Sequence, residues 1–491
     1  MLIKIERDHP TPVYQQIIGQ IKKLIDQGSL EPGSRLPPSR SLAEKLGVNR
    51  STIYLAYAEL QALGYLQSRP GSYNIVLQRT REVAYDPDRQ SLIRWEKACS
   101  EEAARIYKTF LGYTPEKSAR PGSGPPPFDL ASLGLDPGLY PVDDFRRCAR
   151  HVLLNSGFEP LEYGSHKGYP PLCEYIAKRL RLHGISVSDQ EILITNGAQQ
   201  AIDLIARLLG GPGRKVAIET PSYANAIPLL RFNRLQVVGI PMKPDGLDLA
   251  ALERALREER IAFVYTMPNF QNPTGITTSH QHREKLLSLC TRCKVPIVED
   301  GFEEDMKYYG QVALPIKSID EQNIVIYLGT FSKTLFPGLR TGWITGDKEL
   351  IGRILAIKRF CDLTSNNLSQ VIIHRFCTLG YYDKHLKKIH RLFRQRMLLV
   401  LKAMKNCFPP SVSWTRPMGG YTIWVRMPNK ISSQRLTEIT AQFGVGVSPG
   451  EFYFPQRFPS EYFRINIARV PQDKILEAVK RLGKALGQLA S

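Results

Sequence analysis

A lysine in the segment 327–343 has the surroundings that an amine needs in order to react with an aldehyde. The apolar run NIVIYL predicts a buried strand that ends near Leu328, and Lys333 follows it. A partly desolvated amine at the end of such a strand can form a Schiff base with an aldehyde. An isolated lysine after a strand is more often a surface residue, so the prediction depends on the other residues expected around Lys333.

Two sets of groups near this lysine could bind a phosphate. Thr330 and Ser332 precede Lys333, and Arg340 offers the forked donor geometry that matches phosphate. The segment ILITNGAQQAIDLI predicts a strand, a turn and a helix, although an ordinary strand–helix turn would look the same. The backbone N–H groups at the start of that helix would attract the same anion; they belong to Gly197, Ala198 and Gln199.

Four more side chains complete a candidate pocket. Asp300 ends the apolar run VPIVED and could keep a ring nitrogen protonated, or it could merely cap the next helix. Asn272 in PNFQNPTG could donate to a ring oxygen, and Tyr223 in TPSYANA could stack on the ring. Arg464 in EYFRINIAR could clamp a carboxylate. Most of these groups follow predicted strands, where open α/β sheets place ligands.

The first 77 residues predict a helix-turn-helix followed by a wing. PVYQQIIGQIKKLIDQG indicates one helix, and LPPSRSLAEKLG a second with Ser39 or Ser41 as its N-cap. NRSTIYLAYAELQALG indicates a third, with Asn49 as N-cap and Gly64 at its end. YLQSRPGSYNIVL then predicts two strands around a turn. The buried stripe of the third helix would comprise Ile53, Ala56, Tyr57, Leu60 and Leu63.

That stripe leaves the N-terminal end of the third helix free for DNA. Arg50, Ser51, Thr52 and Tyr54 would face outwards there, at the end of a recognition helix that enters the major groove. Arginine can hold guanine with two hydrogen bonds, and Ser and Thr can reach bases or phosphates. The alternative is the solvated surface of a generic helical bundle.

Residues 128–491 alternate short apolar runs with amphipathic stretches, which predicts an α/β fold with a mostly parallel sheet. The predicted strands are EILIT, KVAIE, IAFVYT, PIVED and NIVIYL. Residues 78–127 are charged and end in a stretch rich in Pro and Gly, which is typical of a linker. We therefore predict a DNA-binding domain at 1–77, a linker at 78–127 and a large domain at 128–491.

Composition adds only general limits. The net charge of +20 favours an anionic partner, but residues 1–77 hold nine Lys/Arg and six Asp/Glu, so most of the excess lies elsewhere. Cys290 and Cys293 form a lone C-x-x-C without a second ligand pair, so we predict reduced thiols and no metal. The N-terminus lacks the apolar region of a secretory signal, and we expect a soluble, cytoplasmic protein with no membrane contact.

The segment LEPGSRLPPSRSLAEKLGVNRSTIYLAYAELQALGYL resembles the winged helix of the GntR family. The resemblance implies DNA contacts from Arg40, Arg50 and Thr52 and from the wing around Gly71. The wing departs from the family pattern, which is usually a small-Gly-Thr run before the last strand, because this chain has Ser-Tyr-Asn at 72–74.

Residues from about 128 onwards resemble the class I/II aminotransferases of fold type I, which bind pyridoxal 5′-phosphate (PLP). The resemblance rests on YGSHKGYPPL, ITNGAQQ, ETPSY, PNFQNPTG, VED, GTFSKTLFPGLRTGW, MGGYTIWV, GVSPGEFY and FRINIA, in family order. Together with the winged helix, the chain is similar to the MocR subfamily of transcription regulators. The resemblance implies a multidomain homodimer with a small C-terminal α+β subdomain.

The same resemblance implies residue roles. Lys333 would form the Schiff base, Asp300 would pair with the pyridine nitrogen, Asn272 would bind the ring oxygen, and Arg464 would meet a carboxylate. Tyr163 would reach the phosphate, across the dimer in one arrangement. The other phosphate ligands would be Arg340, Thr330, Gly197, Ala198 and Gln199.

One departure bears on turnover. Related chains carry Asp-Asp-Tyr where this chain has Asp300-Gly301-Phe302, and Phe302 cannot donate a hydrogen bond to the ring oxygen. Loss of that donor should raise the pKa of the Schiff base. Three functions stay open: a regulator that responds to PLP, alone or with an amino acid or amine; an aminotransferase with an accessory DNA-binding domain; and a DNA-binding scaffold without cofactor.

Overall fold

The computed structural model describes residues 3–69, 73–78, 91–101, 103, 104, 107, 126–310, 313–456 and 459–490. The chain divides into two compact units, residues 1–95 and 96–491. The predicted wing residue Gly71 and most of the predicted linker 78–127 lie outside the described residues.

Three helices and a three-stranded antiparallel sheet form the N-terminal unit. Its elements are α1 (Val13–Asp26), β1 (Arg35–Leu36), α2 (Ser39–Leu46), α3 (Arg50–Ala62), β2 (Leu66–Arg69) and β3 (Tyr73–Val76). The sheet order is β1-β3-β2. The predicted helix-turn-helix and the strand pair are confirmed, and the fold is a winged helix.

The core of this unit follows the predicted stripe with one exception. Ile53, Ala56, Tyr57 and Leu60 of α3 are buried against Ile17 and Ile21 of α1, among others. Leu63 is 45% exposed, so its prediction as a core residue is wrong. The reason is that α3 ends at Ala62 and Leu63 is the C-cap, where the helical repeat no longer applies.

Side-chain capping does not define the starts of α2 and α3, contrary to the sequence-based prediction. Pro38 occupies the N-cap of α2, and Ser39 is already helical. Asn49 occupies the N-cap of α3, but its side chain makes no capping hydrogen bond. The predicted C-terminal ends of α2 and α3 agree with the structure, because Gly47 and Gly64 follow these helices with φ of 62° and 74°. Glycine adopts this conformation at little steric cost.

The second unit has an α/β part and a smaller C-terminal part. The short helix α4 (Trp95–Ala98) lies at the boundary of the two units. The first elements of the second unit after it are β4 (Phe128–Asp129), α5 (Val142–Asn155), α6 (Pro170–Leu182), β5 (Ile192–Thr195), α7 (Ala198–Leu209), β6 (Lys215–Thr220), α8 (Ala226–Phe232), β7 (Gln236–Lys243), β8 (Gly246–Leu247), α9 (Leu249–Glu258) and β9 (Ile261–Thr266). These are followed by α10 (His280–Cys293), β10 (Ile297–Asp300), β11 (Val325–Thr330), β12 (Gly342–Thr345), α11 (Lys348–Asp362), α12 (Asn367–Thr378) and the long α13 (Tyr381–Cys407).

The central sheet has eight strands in the order β5-β12-β11-β10-β9-β6-β7-β8. The pairs from β11 through β10, β9 and β6 to β7 are parallel, whereas β12 and β8 run antiparallel to their neighbours. All five predicted strands lie in this sheet, which confirms the mostly parallel α/β fold. Helices α7, α8 and α11 cover one face and α9 and α10 the other. Strands buried on both faces explain the continuous apolar runs.

The C-terminal part is built on a four-stranded antiparallel sheet. Its elements are β13 (Ser413–Trp414), β14 (Thr422–Ile431), α14 (Ser433–Gln442), β15 (Val445–Gly446), β16 (Ser448–Pro449), β17 (Ser460–Asn466) and α15 (Ile475–Ala490). The order is β13-β14-β17-β16, and β15 pairs with β4. Helices α13, α14 and α15 pack on this sheet, so the small α+β subdomain is confirmed.

None of the helices in the described part of the chain is long and apolar enough to cross a membrane.

Candidate functional site

The strand register brings two predicted phosphate ligands, Thr330 and Gly197, to one edge of the sheet. Gly342 at the start of β12 lies opposite both Thr195 at the end of β5 and Thr330 at the end of β11. The turn after β5 therefore meets the segment after β11, and Gly342 lies so close to Gly197 that an added Cβ would be 2.9 Å from the Gly197 Cα. Residues that are distant in sequence thus meet at one edge of the sheet, where we place a candidate cofactor pocket.

The N-terminus of α7 and the Arg340 guanidinium lie together at this edge of the sheet. Gly197 is the N-cap of α7, with φ of 88°, and no side chain caps the helix. Arg340 donates to the Asn196 carbonyl at 2.7 Å, and its guanidinium packs on Gly197, where an added Cβ would lie 2.9 Å from Nη2. Uncapped N–H groups beside a guanidinium favour a phosphate. The same helix start includes Ala198 and Gln199.

A carboxylate at the end of α11 holds the turn before α7 in place. Asp362 accepts hydrogen bonds from Asn196 Nδ2 and Gln200 Nε2, both at 2.9 Å, and pairs with Lys358 at 2.9 Å. Sequence reasoning missed this support, because a contact across more than 160 residues leaves no local signal.

Lys333 lies two residues beyond the buried Phe331, in the turn that follows β11. Its amine donates to the Leu133 carbonyl at 3.5 Å, and the Tyr421 hydroxyl donates to the Lys333 carbonyl at 3.2 Å. Burial lowers the pKa of the amine, while Glu303 acts most strongly against that shift. A lowered pKa favours the neutral amine, the form that attacks an aldehyde. Ser332 and Thr330 next to it are buried, and the Thr330 hydroxyl accepts from the Ser332 N–H at 3.1 Å.

Asp300 is buried at the end of β10. Its Oδ2 accepts a hydrogen bond from the Tyr265 hydroxyl at 2.7 Å, while Oδ1 is buried without a partner. Burial raises the pKa of Asp300 to about 6, and the Tyr265 hydrogen bond, the Phe302 N–H and the charge of Lys333 oppose this rise. The alternative role of a helix cap is not seen, because a turn rather than a helix follows β10.

Asn272 and Arg464 are brought together, although 192 residues separate them. Arg464 Nη1 donates to Asn272 Oδ1 at 3.1 Å, Nη2 donates to the Ala131 carbonyl, and Nε is buried without a partner. Both side chains are at least 96% buried. This pair joins the loop after β9 to strand β17 and so links the large part to the C-terminal part.

The two predicted aromatic ligands, Tyr223 and Tyr163, differ in burial. Tyr223 is half-buried, and its hydroxyl donates to Gln199 Oε1 at 3.2 Å, so it belongs to the pocket wall near α7. Tyr163 is 83% exposed on the surface of its own chain. The structure therefore does not bring Tyr163 into the pocket of the same chain.

Phe302 and Glu303 follow Asp300 and point to different environments. Phe302 is 7% exposed and packs in the apolar cluster between the sheet and helices α7, α8 and α11. Glu303 is 1% exposed, and Lys333 and Arg464 are the cations that act most strongly on it. Sequence reasoning missed Glu303 because the run EED at 303–305 looks like a solvated acidic turn.

The predicted DNA-contacting residues lie on one end of α3 and on α2. Arg50 and Ser51 are exposed, Tyr54 is 70% exposed and Thr52 is half-buried. Arg40 on α2 is exposed and lies 3.5 Å from Glu44, an ion pair that contributes little when solvated. This arrangement leaves the N-terminal end of the recognition helix open to a groove.

The C-x-x-C pair lies at the end of α10, with Cys290 buried and Cys293 half-buried. Among the described residues, no group of three or more His, Cys, Asp or Glu side chains is placed to hold a metal ion.

Comparisons with known proteins identify both units. The family model of aminotransferase class I and II matches residues 133–482. The chain belongs to the class I and II aminotransferase family. The model of bacterial regulatory proteins of the gntR family matches residues 13–73, so this aminotransferase-family chain carries a GntR-type DNA-binding domain, the arrangement of the MocR subfamily.

The chain is similar both to transcriptional regulators and to aminotransferases. An uncharacterized HTH-type transcriptional regulator, YdfD of Bacillus subtilis, is 30% identical over 98% of this chain and 97% of its own length. Aromatic-amino-acid aminotransferase 1 of Thermococcus litoralis is 36% identical over 73% of this chain and 88% of its own length. The crystal structure of a multiple substrate aminotransferase from Thermococcus profundus superposes with a TM-score of 0.73 at 32% identity, covering 81% of this chain and 99% of that one.

Class I and II aminotransferases depend on PLP, and the described pocket fits this cofactor. Buried polar atoms without partners include Asp300 Oδ1, Ser332 Oγ and Arg464 Nε. Buried polar groups are rarely left unpaired unless a ligand or water completes them. The uncapped start of α7 beside Arg340 adds an anion site to an amine and an acid, which matches a phosphorylated pyridine aldehyde.

Proposed function

We propose that the chain is a transcription regulator whose affinity for DNA is set by PLP, alone or with an amino acid or amine bound at the Lys333 pocket. One observation carries the proposal: a single chain holds an open recognition-helix end and a pocket with an amine, a buried acid and an anion site. Relatives named as HTH-type transcriptional regulators along nearly their whole length support it.

Each proposed ligand has a defined role. Lys333 would hold the aldehyde carbon, and Asp300 would keep the ring nitrogen protonated through its free Oδ1. Asn272 would donate to the ring oxygen, and Tyr223 would cover the ring. The phosphate would be bound by the α7 start, Thr330, Ser332 and Arg340, with Tyr163 supplied by a partner subunit. Bound in this way, PLP supplies an electrophilic carbon that can accept an amine.

A ligand shifts a conformational equilibrium only through contacts that differ between the two states. Release of the Lys333 amine by a competing amine changes the charge balance of a pocket that also holds Asp300, Glu303 and Arg464. The pocket joins the large part to β17 through the Arg464–Asn272 hydrogen bond. Arg464 is therefore the residue through which an effector carboxylate would change the relation of the two parts.

A homodimer is part of the proposal. Large apolar side chains are exposed along α5 and the segment after it, which is unusual for a monomer surface. They include Leu154 at 70%, Phe158 at 82%, Leu161 at 60% and Tyr163 at 83% exposure. A second copy that covers this surface would place Tyr163 at a neighbouring pocket and pair two winged helices for a repeated operator.

The second candidate is an aminotransferase with an accessory DNA-binding domain. The Arg464–Asn272 pair favours it, because a buried guanidinium with a free Nε can hold the carboxylate of an amino acid. This function predicts that some amino acid converts the bound cofactor to its amine form, seen as loss of visible absorbance. If all common amino acids and amines leave the absorbance unchanged, the enzyme assignment is wrong.

Covalent trapping tests the pocket first. Borohydride reduction of the PLP-loaded chain should fix the cofactor on the peptide that contains Lys333, as read by mass spectrometry. The Lys333→Ala variant should give no PLP adduct. A wild-type chain without an adduct would leave only the cofactor-free scaffold.

A further inference from the structure

The acidic run after β10 contains three carboxylates with different environments. Glu304 accepts a hydrogen bond from Asn269 Nδ2 at 2.7 Å, and Asp305 pairs with Arg179 at 2.8 Å. Among the described residues, Glu303 has one hydrogen-bond partner: its Oε2 accepts from the Tyr421 N–H at 3.1 Å, and its Oε1 is buried with no partner. Such a half-satisfied buried acid is costly unless it has another task.

The fold makes room for this carboxylate next to Gly420 and Tyr421. Gly420 has φ of 68°, and a Cβ there would lie 2.5 Å from Glu303 Oε2, so only glycine leaves space for the acid. Tyr421, which binds Glu303 through its N–H, also donates its hydroxyl to the Lys333 carbonyl at 3.2 Å. One residue therefore holds both Glu303 and the Lys333 backbone.

We propose that Glu303 is a positioning residue for Lys333: when ionised it keeps the Lys333 amine protonated, and when it takes up a proton it lets the amine become neutral. The proton balance is simple, because one proton leaves the ammonium and one binds the carboxylate. This inference rests on the proposed role of Lys333 as the cofactor-binding lysine.

The charges around the pair agree with this role. Glu303 is the acid that acts most strongly on Lys333, and Lys333 is the cation that acts most strongly on Glu303. Arg464 and Arg340 also face the amine, and both lower its pKa, while Asp300 raises it. Burial raises the pKa of Glu303 to about 8, and Asp300 adds to that rise. Tyr308 and Tyr421 also lie near the carboxylate, and burial keeps their hydroxyls neutral.

The test compares Glu303→Gln with Glu304→Gln in the full chain freed of cofactor. Both amides keep an oxygen that can accept the existing hydrogen bond, from Tyr421 N–H or Asn269, so a purely structural role predicts no change in either. The pKa of Lys333 is measured by competitive acetylation at different pH values, with mass spectrometry of its peptide. We expect Glu303→Gln to lower the Lys333 pKa by about one unit, because the variant removes the opposite charge that acts most strongly on the amine. Glu304→Gln should leave it unchanged.

Equal Lys333 titrations in wild type and Glu303→Gln would overturn the inference. If Glu303→Gln does not fold, the wild type supplies the readout: its Lys333 titration should depart from a one-proton curve near pH 8, where Glu303 ionises, and a plain one-proton curve would contradict the proposal. The measurement needs no bound PLP. The two proposals can therefore fail separately. If Glu303→Gln lowers the Lys333 pKa but the wild type binds no PLP, the coupling of Glu303 to Lys333 is supported and the proposed function is refuted.

Discussion

At the scale of single residues, the pocket is defined by side chains whose pKa values are moved by burial. Asp300 is the clearest case, because burial raises its pKa to about 6 while Tyr265 donates to it. The acid is therefore ionised at neutral pH but loses its charge under mildly acidic conditions. A protonated ring nitrogen needs the ionised form.

PLP affinity should therefore fall as the pH drops through about 6, since Asp300 is then protonated before the cofactor binds. Asp300→Asn should remove this pH dependence and weaken PLP binding about 10- to 100-fold at pH 7.5, the equivalent of ~1.5–3 kcal/mol for a hydrogen bond to a charged group. Equilibrium dialysis with PLP measures both effects. An Asp300→Asn chain with unchanged affinity and pH profile would refute the assignment of Asp300.

Tyr265→Phe provides a finer test of the same residue. Its hydroxyl donates to Asp300 Oδ2 and lowers the pKa of that acid. Removal of the hydroxyl should raise the Asp300 pKa further and move the acidic loss of PLP affinity to higher pH. A movement towards lower pH would show that the Tyr265 hydrogen bond does not stabilise the carboxylate.

The sequence was sufficient to place residues whose position depends on local order along the chain. Asp300, Thr330 and Lys333 each follow an apolar run, and strand ends in a parallel sheet meet at one edge. Glu303 could not be predicted, because its burial depends on Gly420 and Tyr421, more than 115 residues away. Nothing local distinguishes it from its neighbours Glu304 and Asp305.

At the scale of secondary-structure elements, the start of α7 and the N-terminal end of α3 are the proposed binding elements for phosphate and DNA. The predicted strands match the structure closely because buried parallel strands carry continuous apolar runs; IAFVYT corresponds to β9 (Ile261–Thr266). Strand β12 was not predicted. It is only four residues long and inserts antiparallel between β5 and β11, an order that depends on non-local pairing.

Gly197→Ala should weaken PLP binding by disturbing the start of α7. An added Cβ would lie 2.9 Å from the Arg340 guanidinium, and φ of 88° strains any other residue. Gly213→Ala is the matched control, because it has φ of 74° and nothing within 4 Å of the added Cβ. Both variants should lose about 1 kcal/mol of unfolding free energy, and only Gly197→Ala should lose PLP affinity. If Gly197→Ala and Gly213→Ala bind PLP with equal affinity, the phosphate does not bind at the start of α7.

Arg50→Ala should abolish sequence preference at the start of α3. A bidentate arginine–guanine contact contributes ~1–3 kcal/mol of discrimination, so the ratio of operator to random-DNA affinity should fall about 10- to 100-fold. Glu59→Gln, an exposed change at the other end of the same helix, is the control. Fluorescence anisotropy at fixed salt measures this ratio. An unchanged ratio for Arg50→Ala would show that Arg50 does not read the DNA sequence.

At the scale of the whole molecule, the exposed apolar surface along α5 and the segment after it is the proposed contact with a second copy of the chain. Phe158→Glu should place a charge in the proposed interface and convert a dimer into a monomer in light scattering. Leu182→Glu, at a side chain that is 79% exposed on α6, is the control for surface charge. If Phe158→Glu remains dimeric, or if the wild type is a monomer, this surface is not the interface.

The central claim is that one pocket controls DNA binding, and operator affinity with and without PLP tests it most directly. The probe is the DNA upstream of the gene that encodes the chain, and the comparison is wild type against Lys333→Ala. We predict that PLP changes the wild-type affinity at least about 5-fold, the lower range of typical coupling between two sites, and leaves Lys333→Ala unaffected. The same affinity in all four measurements would contradict the account.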